Sequence, residues 1–204
     1  MKIVVATGNK DKAREIKSIL NKYNASFANI EVLTMKEAGI VTDIIEDGTT
    51  FEENAMIKAR AVAPLCTDAI VLADDSGLEV DYLNKEPGVF SARYMGEDTS
   101  YDIKNMAIIQ RLNNVEDEKR TARFVCAVAC ILPDGKETVL RRTMEGRIGY
   151  SQEGENGFGY DPIFFLPEYN CTSSVLSMDE KNKISHRGKG FRAIADYILE
   201  NIEL

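Results

Sequence analysis

The chain has 204 residues, 44% hydrophobic and 28% charged, with 14 Gly and 5 Pro. This balance excludes disorder and collagen-like repeats and suits one domain, or one domain with two lobes around a cleft. Twenty-five basic residues against 33 acidic give a net charge of −8, which argues against a broad basic footprint for nucleic acid. A small anionic ligand would then need local Lys and Arg and a divalent cation.

No apolar run approaches the ~20 residues that span a bilayer, and the N-terminus turns polar at Thr7, too early for a signal-peptide core. The expectation is a soluble, cytoplasmic protein. Cys66, Cys126, Cys130 and Cys171 form no C-x-x-C pair and there is a single histidine, so free thiols are expected rather than disulfides or a zinc site.

In chain order, residues 2–6 form a β-branched strand that breaks at Thr7-Gly8-Asn9, and a helix follows with Ala13, Ile16, Ile19 and Leu20 on one face. Thr50-Phe51-Glu52-Glu53 is a capping box opening a second helix, on which Phe51, Ala55, Ala59 and Val62 repeat until Pro64. Residues 69–73 read as a buried strand ending at Asp74-Asp75-Ser76-Gly77. Glu86-Pro87-Gly88 marks a turn, and Thr99 or Ser100 caps a helix carrying Ile103, Met106, Ile109 and Leu112. Residues 116–123 read as a charged, solvated connection. Strands over 124–132 and 137–148, joined at Pro133-Asp134-Gly135-Lys136, form an antiparallel hairpin, so the sheet must be mixed. Gly146, Gly149, Gly154, Gly157 and Gly159 make a loop-rich stretch, and Phe191, Ile194, Ile198, Leu199 and Ile202 face the core from the last helix.

Five segments can carry chemistry. Thr7-Gly8-Asn9-Lys10-Asp11-Lys12 lies between strand and helix, where unpaired backbone N–H groups hold phosphate, although many such loops are plain connections. No Walker A pattern occurs. In Asp74-Asp75-Ser76-Gly77 the two carboxylates of a strand would point to opposite faces; Asp75 is favoured as a Mg²⁺ ligand, and an ordinary turn explains the segment equally well. Asn54 and Lys58, four apart on a helix, project together, as they would on any solvated face. Gly157-Phe158-Gly159-Tyr160-Asp161-Pro162 frames aromatics that can stack on a nucleobase or cap the core. The basic loop over 180–190 carries the only histidine; its Gly188-Lys189-Gly190-Phe191-Arg192-Ala193 lacks the preceding strand that a dinucleotide fingerprint requires.

Taken together, six motifs resemble the Ham1 or ITPase-like family of non-canonical purine nucleoside triphosphate pyrophosphatases. They are Thr7-Gly8-Asn9-x-x-Lys12, Phe51-x-x-Asn54-Ala55-x-x-Lys58-Ala59, Ala73-Asp74-Asp75-Ser76-Gly77-Leu78, Pro87-Gly88-Val89-x-Ser91-Ala92-Arg93, Phe158-Gly159-Tyr160-Asp161-Pro162 and Ser185-His186-Arg187. The resemblance spans nearly the whole chain, read as one domain over 1–204. It implies an α/β fold with an elongated mixed β-sheet flanked by helices and two lobes around a central nucleotide cleft. The implied activity is Mg²⁺-dependent hydrolysis of ITP, dITP and XTP to the monophosphate and pyrophosphate by a homodimer, with no nucleic-acid or membrane partner.

By the same resemblance, Thr7, Gly8, Asn9, Lys10, Asp11, Lys12 and Lys58 would bind the triphosphate. Asp75 would hold Mg²⁺ and accept the proton of the attacking water. Glu46 is similar to the family's second acidic ligand, twelve positions before Lys58, with Asp47 and Glu53 as alternatives. Ser76, Phe158, Gly159, Tyr160, Asp161, Lys181, His186 and Arg187 would contact the nucleoside; because a free carboxylate would welcome a guanine amino group, Asp161 is expected to be held by other donors or turned away from C2. A Maf-like pyrophosphatase and a non-catalytic nucleotide-binding module are the competing readings. Phe158-Gly159-Tyr160-Asp161 with Ser185-His186-Arg187 speaks against the first, and the intact Lys12, Lys58 and Asp75 against the second.

Overall fold

Four alternating short strands and helices open the chain, and a computed structural model describes residues 1–23 and 30–202. Strand β1 (Lys2–Val5) lies between β2 (Glu31–Thr34) and β3 (Ala69–Val80), parallel to both. The near-continuous apolar run of β1 fits a strand covered on both faces. Helix α1 (Lys10–Tyr23) buries Ala13, Ile16, Ile19 and Leu20, the predicted face. Helix α2 (Phe51–Val62) begins at the predicted capping box: Thr50 accepts from the Glu53 N–H while the Glu53 carboxylate returns to the Thr50 N–H.

Helix α3 (Tyr101–Arg111) is capped by Ser100, and β4 (Thr121–Ile131) and β5 (Glu137–Ile148) are joined by the predicted turn. Strands β6 (Phe164–Leu166) and β7 (Cys171–Thr172) add antiparallel pairing. Helices α4 (Met178–Ile184) and α5 (His186–Asn201) complete the chain. The α/β architecture is thus a mixed seven-stranded sheet in the order β2-β1-β3-β4-β5-β6-β7.

The chain divides into two compact units. The first comprises residues 1–75, 126–142 and 187–204, and the second 76–125 and 143–186. Each has its own apolar core. In the first, Ile3, Val5, Ile16, Leu20, Ile70, Leu72, Val128, Phe191, Ile194 and Ile198 pack together. In the second, Leu78, Val80, Ile108, Leu112, Phe124, Ile148, Ile163 and Phe164 do so.

Several expectations are corrected. The strand read over 69–73 continues through Asp74-Asp75-Ser76-Gly77 to Val80, because residues that favour turns are held extended by the sheet around them. On α3 the buried residues are Lys104, Asn105 and Ile108, whereas Ile103 and Met106 are 55% and 44% exposed. Lys104 Nζ reaches the Ala92 carbonyl at 2.7 Å, so hydrogen bonding joins the apolar packing of Ile108 and Leu112 in setting the inward face. The supposed solvated connection over 116–123 contains the buried Arg120, whose guanidinium donates to the carbonyls of Leu112, Ile148 and Gly149 at 2.6–2.8 Å. Gly146 lies within β5, as the strand read over 137–148 requires, and a Cβ there would lie 2.7 Å from the Phe164 ring. The basic loop over 180–190 is largely helical, running from α4 through Ser185 into α5. Among the described residues no helix is long and apolar enough to cross a membrane.

Candidate active site

The parallel register fixes where the first motif lies. Val5 pairs with Leu72, and the Ala6 N–H donates to the Leu72 carbonyl at 2.7 Å, so the turn after β1 emerges beside residues 73–75 of β3. Carboxyl ends of parallel strands are the usual ligand positions of such sheets. Asn9 caps α1: its Oδ1 accepts from the N–H groups of Asp11 and Lys12 at 2.9 and 3.0 Å, and Thr7 Oγ1 accepts from the Asn9 N–H at 3.2 Å. The expectation of unpaired N–H groups at this helix start is therefore corrected for Asn9, Asp11 and Lys12, whose donors shape the turn. The side chains of Lys10, exposed, and Lys12, half-buried, remain the main source of positive charge.

Neighbouring carboxylates of β3 meet different cations. Asp74 Oδ2 lies 3.2 Å from Lys12 Nζ and 3.5 Å from Arg187 Nε. Asp75 Oδ1 lies 3.4 Å from Lys58 Nζ, and that ammonium also contacts Glu46 Oε2 at 2.5 Å. Burial alone would raise the Asp74 carboxyl, but Lys12, Arg187 and Lys58 outweigh it and hold it well below the ordinary carboxylate range. Asp75 shifts the other way. Its burial dominates Lys58 and Lys12, and the charges of Glu46 and Asp74 push it further up. Burial lowers Lys58, yet Asp75, Asp74 and Glu46 more than compensate and keep it an ammonium.

Of the three candidates for a second acidic ligand, Glu53 spends its carboxylate on Thr49 and Thr50, Asp47 is exposed, and Glu46 reaches the lysine shared with Asp75. Asn54, on the turn of α2 before Lys58, accepts from the Gly48 N–H at 2.8 Å and so fastens the segment that carries Glu46.

The oxygens of Glu46 and Asp75 suit a hard divalent cation, and Asp75 Oδ2 is buried with no hydrogen-bond partner among the described residues. Among the described residues no group of three or more His, Cys, Asp or Glu side chains is placed to hold a metal ion. Mg²⁺ matches that sparse set, since it usually takes one or two carboxylates and completes its shell with water and substrate phosphate.

The second unit gathers most of the remaining motif residues. Asp161 is buried and fully engaged: Oδ2 accepts from Lys181 Nζ at 2.6 Å and from the Phe158 N–H at 2.8 Å, while Oδ1 accepts from Ser173 Oγ at 2.8 Å. This agrees with the expectation that other donors hold it. Lys181 Nζ also lies 5.2 Å from the centre of the half-buried Phe158 ring. The Tyr160 hydroxyl donates to the Ser91 carbonyl at 2.7 Å, and its ring meets Tyr101 edge-on. His186 is buried and stacks on Phe124 with centroids 4.9 Å apart. Ser76, next to Asp75 on β3, is half-buried. At Gly157, φ is +76° and a Cβ would fall 2.3 Å from Asp161 Oδ2, so only glycine fits.

The sequence pattern of the Ham1 family matches residues 3–197. The chain belongs to the Ham1 family. It is 45% identical to the dITP/XTP pyrophosphatase of Caldanaerobacter subterraneus subsp. tengcongensis, over 100% of this chain and 98% of the relative. It is 42% identical to that of Clostridium perfringens, over 96% of each. The Staphylococcus aureus Ham1 protein superposes with a TM-score of 0.85 at 38% identity, covering 99% of this chain and 100% of the other. A HAM1 protein from Coxiella burnetii gives 0.84 at 37%, covering 98% and 99%.

Two participants of this Ham1-family arrangement lie outside the sequence motifs. Glu15, buried on α1, accepts from Arg187 NH1 at 2.6 Å, and together with Asp74 it keeps that buried guanidinium charged against the cost of burial. Ser173 holds Asp161. Neither has a local signature, but Ser177-x-x-Glu180 is a capping box that announces α4 and so the burial of Lys181.

Proposed function

We propose that this chain hydrolyses non-canonical purine nucleoside triphosphates (ITP, dITP and XTP) to the monophosphate and pyrophosphate, removing deaminated purines from the nucleotide pool. The observation that carries the reading is Asp75, a buried carboxylate with one unpartnered oxygen, beside Lys58 and Glu46. The family match over residues 3–197 supports treating 1–204 as one pyrophosphatase domain.

Glu46 and Asp75 are the residues that would hold Mg²⁺, which when bound neutralises phosphate oxygens and orients water. Asp75, whose Oδ2 has no hydrogen-bond partner among the described residues, accepts the water's proton. Lys12 and Lys58, with Lys10 and the turn built by Thr7, Gly8, Asn9 and Asp11, bind the triphosphate; the ammonium groups stabilise charge developing on the departing pyrophosphate. No covalent intermediate is needed. Burial pushes the Cys126 and Cys130 thiols up to about 12, which suits packing rather than nucleophilic chemistry.

The nucleoside roles fall to Ser76, Phe158, Gly159, Tyr160, Asp161, Lys181, His186 and Arg187. Hypoxanthine and xanthine carry an acceptor oxygen at C6 where adenine has a donor, so a site lined by donors disfavours ATP. With both Asp161 oxygens engaged, the carboxylate is not offered to the C2 amino group of guanine.

A homodimer in the cytoplasm belongs to the same reading, and the outward Ile103 and Met106 supply apolar surface for an assembly to bury. Pyrophosphate release from ITP, XTP, GTP and ATP with Mg²⁺ tests the function. A kcat/KM for ITP and XTP far above that for ATP and GTP is expected, and equal values for all four would refute it. Repeating the assay on Arg187→Ala separates a nucleoside contact, which would change selectivity, from support of Asp74, which would lower turnover alone.

A further inference from the structure

We propose that Asn105 on α3 is a positioning residue for base selection, acting through the carbonyl of Gly159; the inference rests on the nucleoside role given above to residues 158–161. Asn105 is 1% exposed, and its Nδ2 donates to the Gly159 carbonyl at 3.2 Å and to Gln152 Oε1 at 3.0 Å. A backbone carbonyl only accepts, so this contact fixes which end of the amide faces it. The other end, Oδ1, is then buried without a hydrogen-bond partner among the described residues. An unpaired buried acceptor opposes folding, so the side chain at this position is suited to what its donors hold.

What they hold is the pivot of the segment. Asp161 is fixed by Lys181, Ser173 and the Phe158 N–H, and Tyr160 by the Ser91 carbonyl and the Tyr101 ring. Between Phe158 and these anchors stands Gly159, at φ +69° with only ordinary contacts around its α-carbon. Glycine is the most permissive link of the segment, and the direction of the Phe158 ring depends on its dihedral angles as well as on the Phe158 N–H bond to Asp161. Asn105 restrains the peptide that sets it, from a helix that carries no other residue assigned to the site.

The experiment measures kcat and KM for ITP and ATP on the wild type, Asn105→Ala, Asn105→Asp and Gln152→Ala, with thermal melts of each. Asn105→Asp keeps the shape while placing an acceptor against the carbonyl. Both Asn105 variants should lose about tenfold or more of the ITP-over-ATP preference, mainly through a higher KM for ITP, with kcat within about threefold of wild type. Gln152→Ala, which spares the Gly159 contact, should keep the preference. Wild-type selectivity in folded Asn105 variants would overturn the proposal, as would a fall in kcat alone, an equal loss in Gln152→Ala, or failure of both Asn105 variants to fold. A wild type with no preference for ITP would instead refute the functional reading beneath it.

Discussion

Both units bury acidic and basic side chains, and they do opposite things with them. In the second, both oxygens of Asp161 are engaged, by Lys181, Ser173 and the Phe158 N–H. In the first, Asp75 shares Lys58 with Glu46 at a long 3.4 Å, keeps an unpartnered oxygen and is pushed above its ordinary carboxyl range. The difference is one of bonding capacity: the polar groups around Asp161 are used up in holding a geometry, whereas Asp75 keeps some in reserve, as the proposed reacting role requires.

Chelation is the severest test of that contrast. Exhaustive EDTA treatment should abolish pyrophosphate release and Mg²⁺ should restore it; full activity without divalent cation would remove the metal role from Glu46 and Asp75. Asp75→Asn should lower kcat by about 10²–10⁴-fold, while its melting temperature stays close to that of the wild type, because Asp74 and Glu46 still neutralise Lys58. A marked loss of stability would mean that Asp75 is structural. Asp161→Ala should behave conversely. It strands a buried ammonium, at a cost of about 3–5 kcal/mol, read by urea unfolding; an unchanged midpoint would erase the contrast.

Lys12→Ala is expected to lower kcat/KM for ITP by roughly tenfold or more, as loss of a charged phosphate contact does. An unchanged value would place the phosphates elsewhere. The smallest effect concerns the thiols. Cys126 and Cys130 stay protonated in the fold up to about 12 but ionise near 8.5 once unfolded. Their contribution to stability is therefore complete below about 8.5 and lost as pH rises toward 12. Native protein at pH 8 should show a thiol reagent Cys171 and, more slowly, Cys66; rapid labelling of all four would contradict the burial.

What could be read in the sequence was what local chemistry determines. The α1 face, the Thr50 and Glu53 cap and the β4–β5 turn each depend on residues a few positions apart. On α3 the apolar spacing finds Leu112 and Ile109 but not the buried Lys104 and Asn105, whose partners at Ala92 and Gly159 no periodicity reveals. The partnership of Arg187 with Glu15 spans 172 positions. Strand β3 runs on past its apolar stretch because Asp, Ser and Gly favour turns only until a sheet holds them. The spacing to Lys58 favours Glu46 over Glu53 in the sequence, and the fold adds the physical reason, since the Glu53 carboxylate is consumed in capping α2.

Gly157 also bears on sequence drift. Gly135 shares its positive φ, at +85°, but has nothing within 4 Å of a would-be Cβ, whereas at Gly157 the Asp161 carboxylate occupies that space. Asn or Asp, which tolerate this backbone region, can replace the first at small expense. At the second they would collide with the group that Lys181 and Ser173 hold in place. In a saturation library selected for activity, position 135 should diversify toward those two residues while position 157 stays invariant, an island with no neutral neighbours a single substitution away.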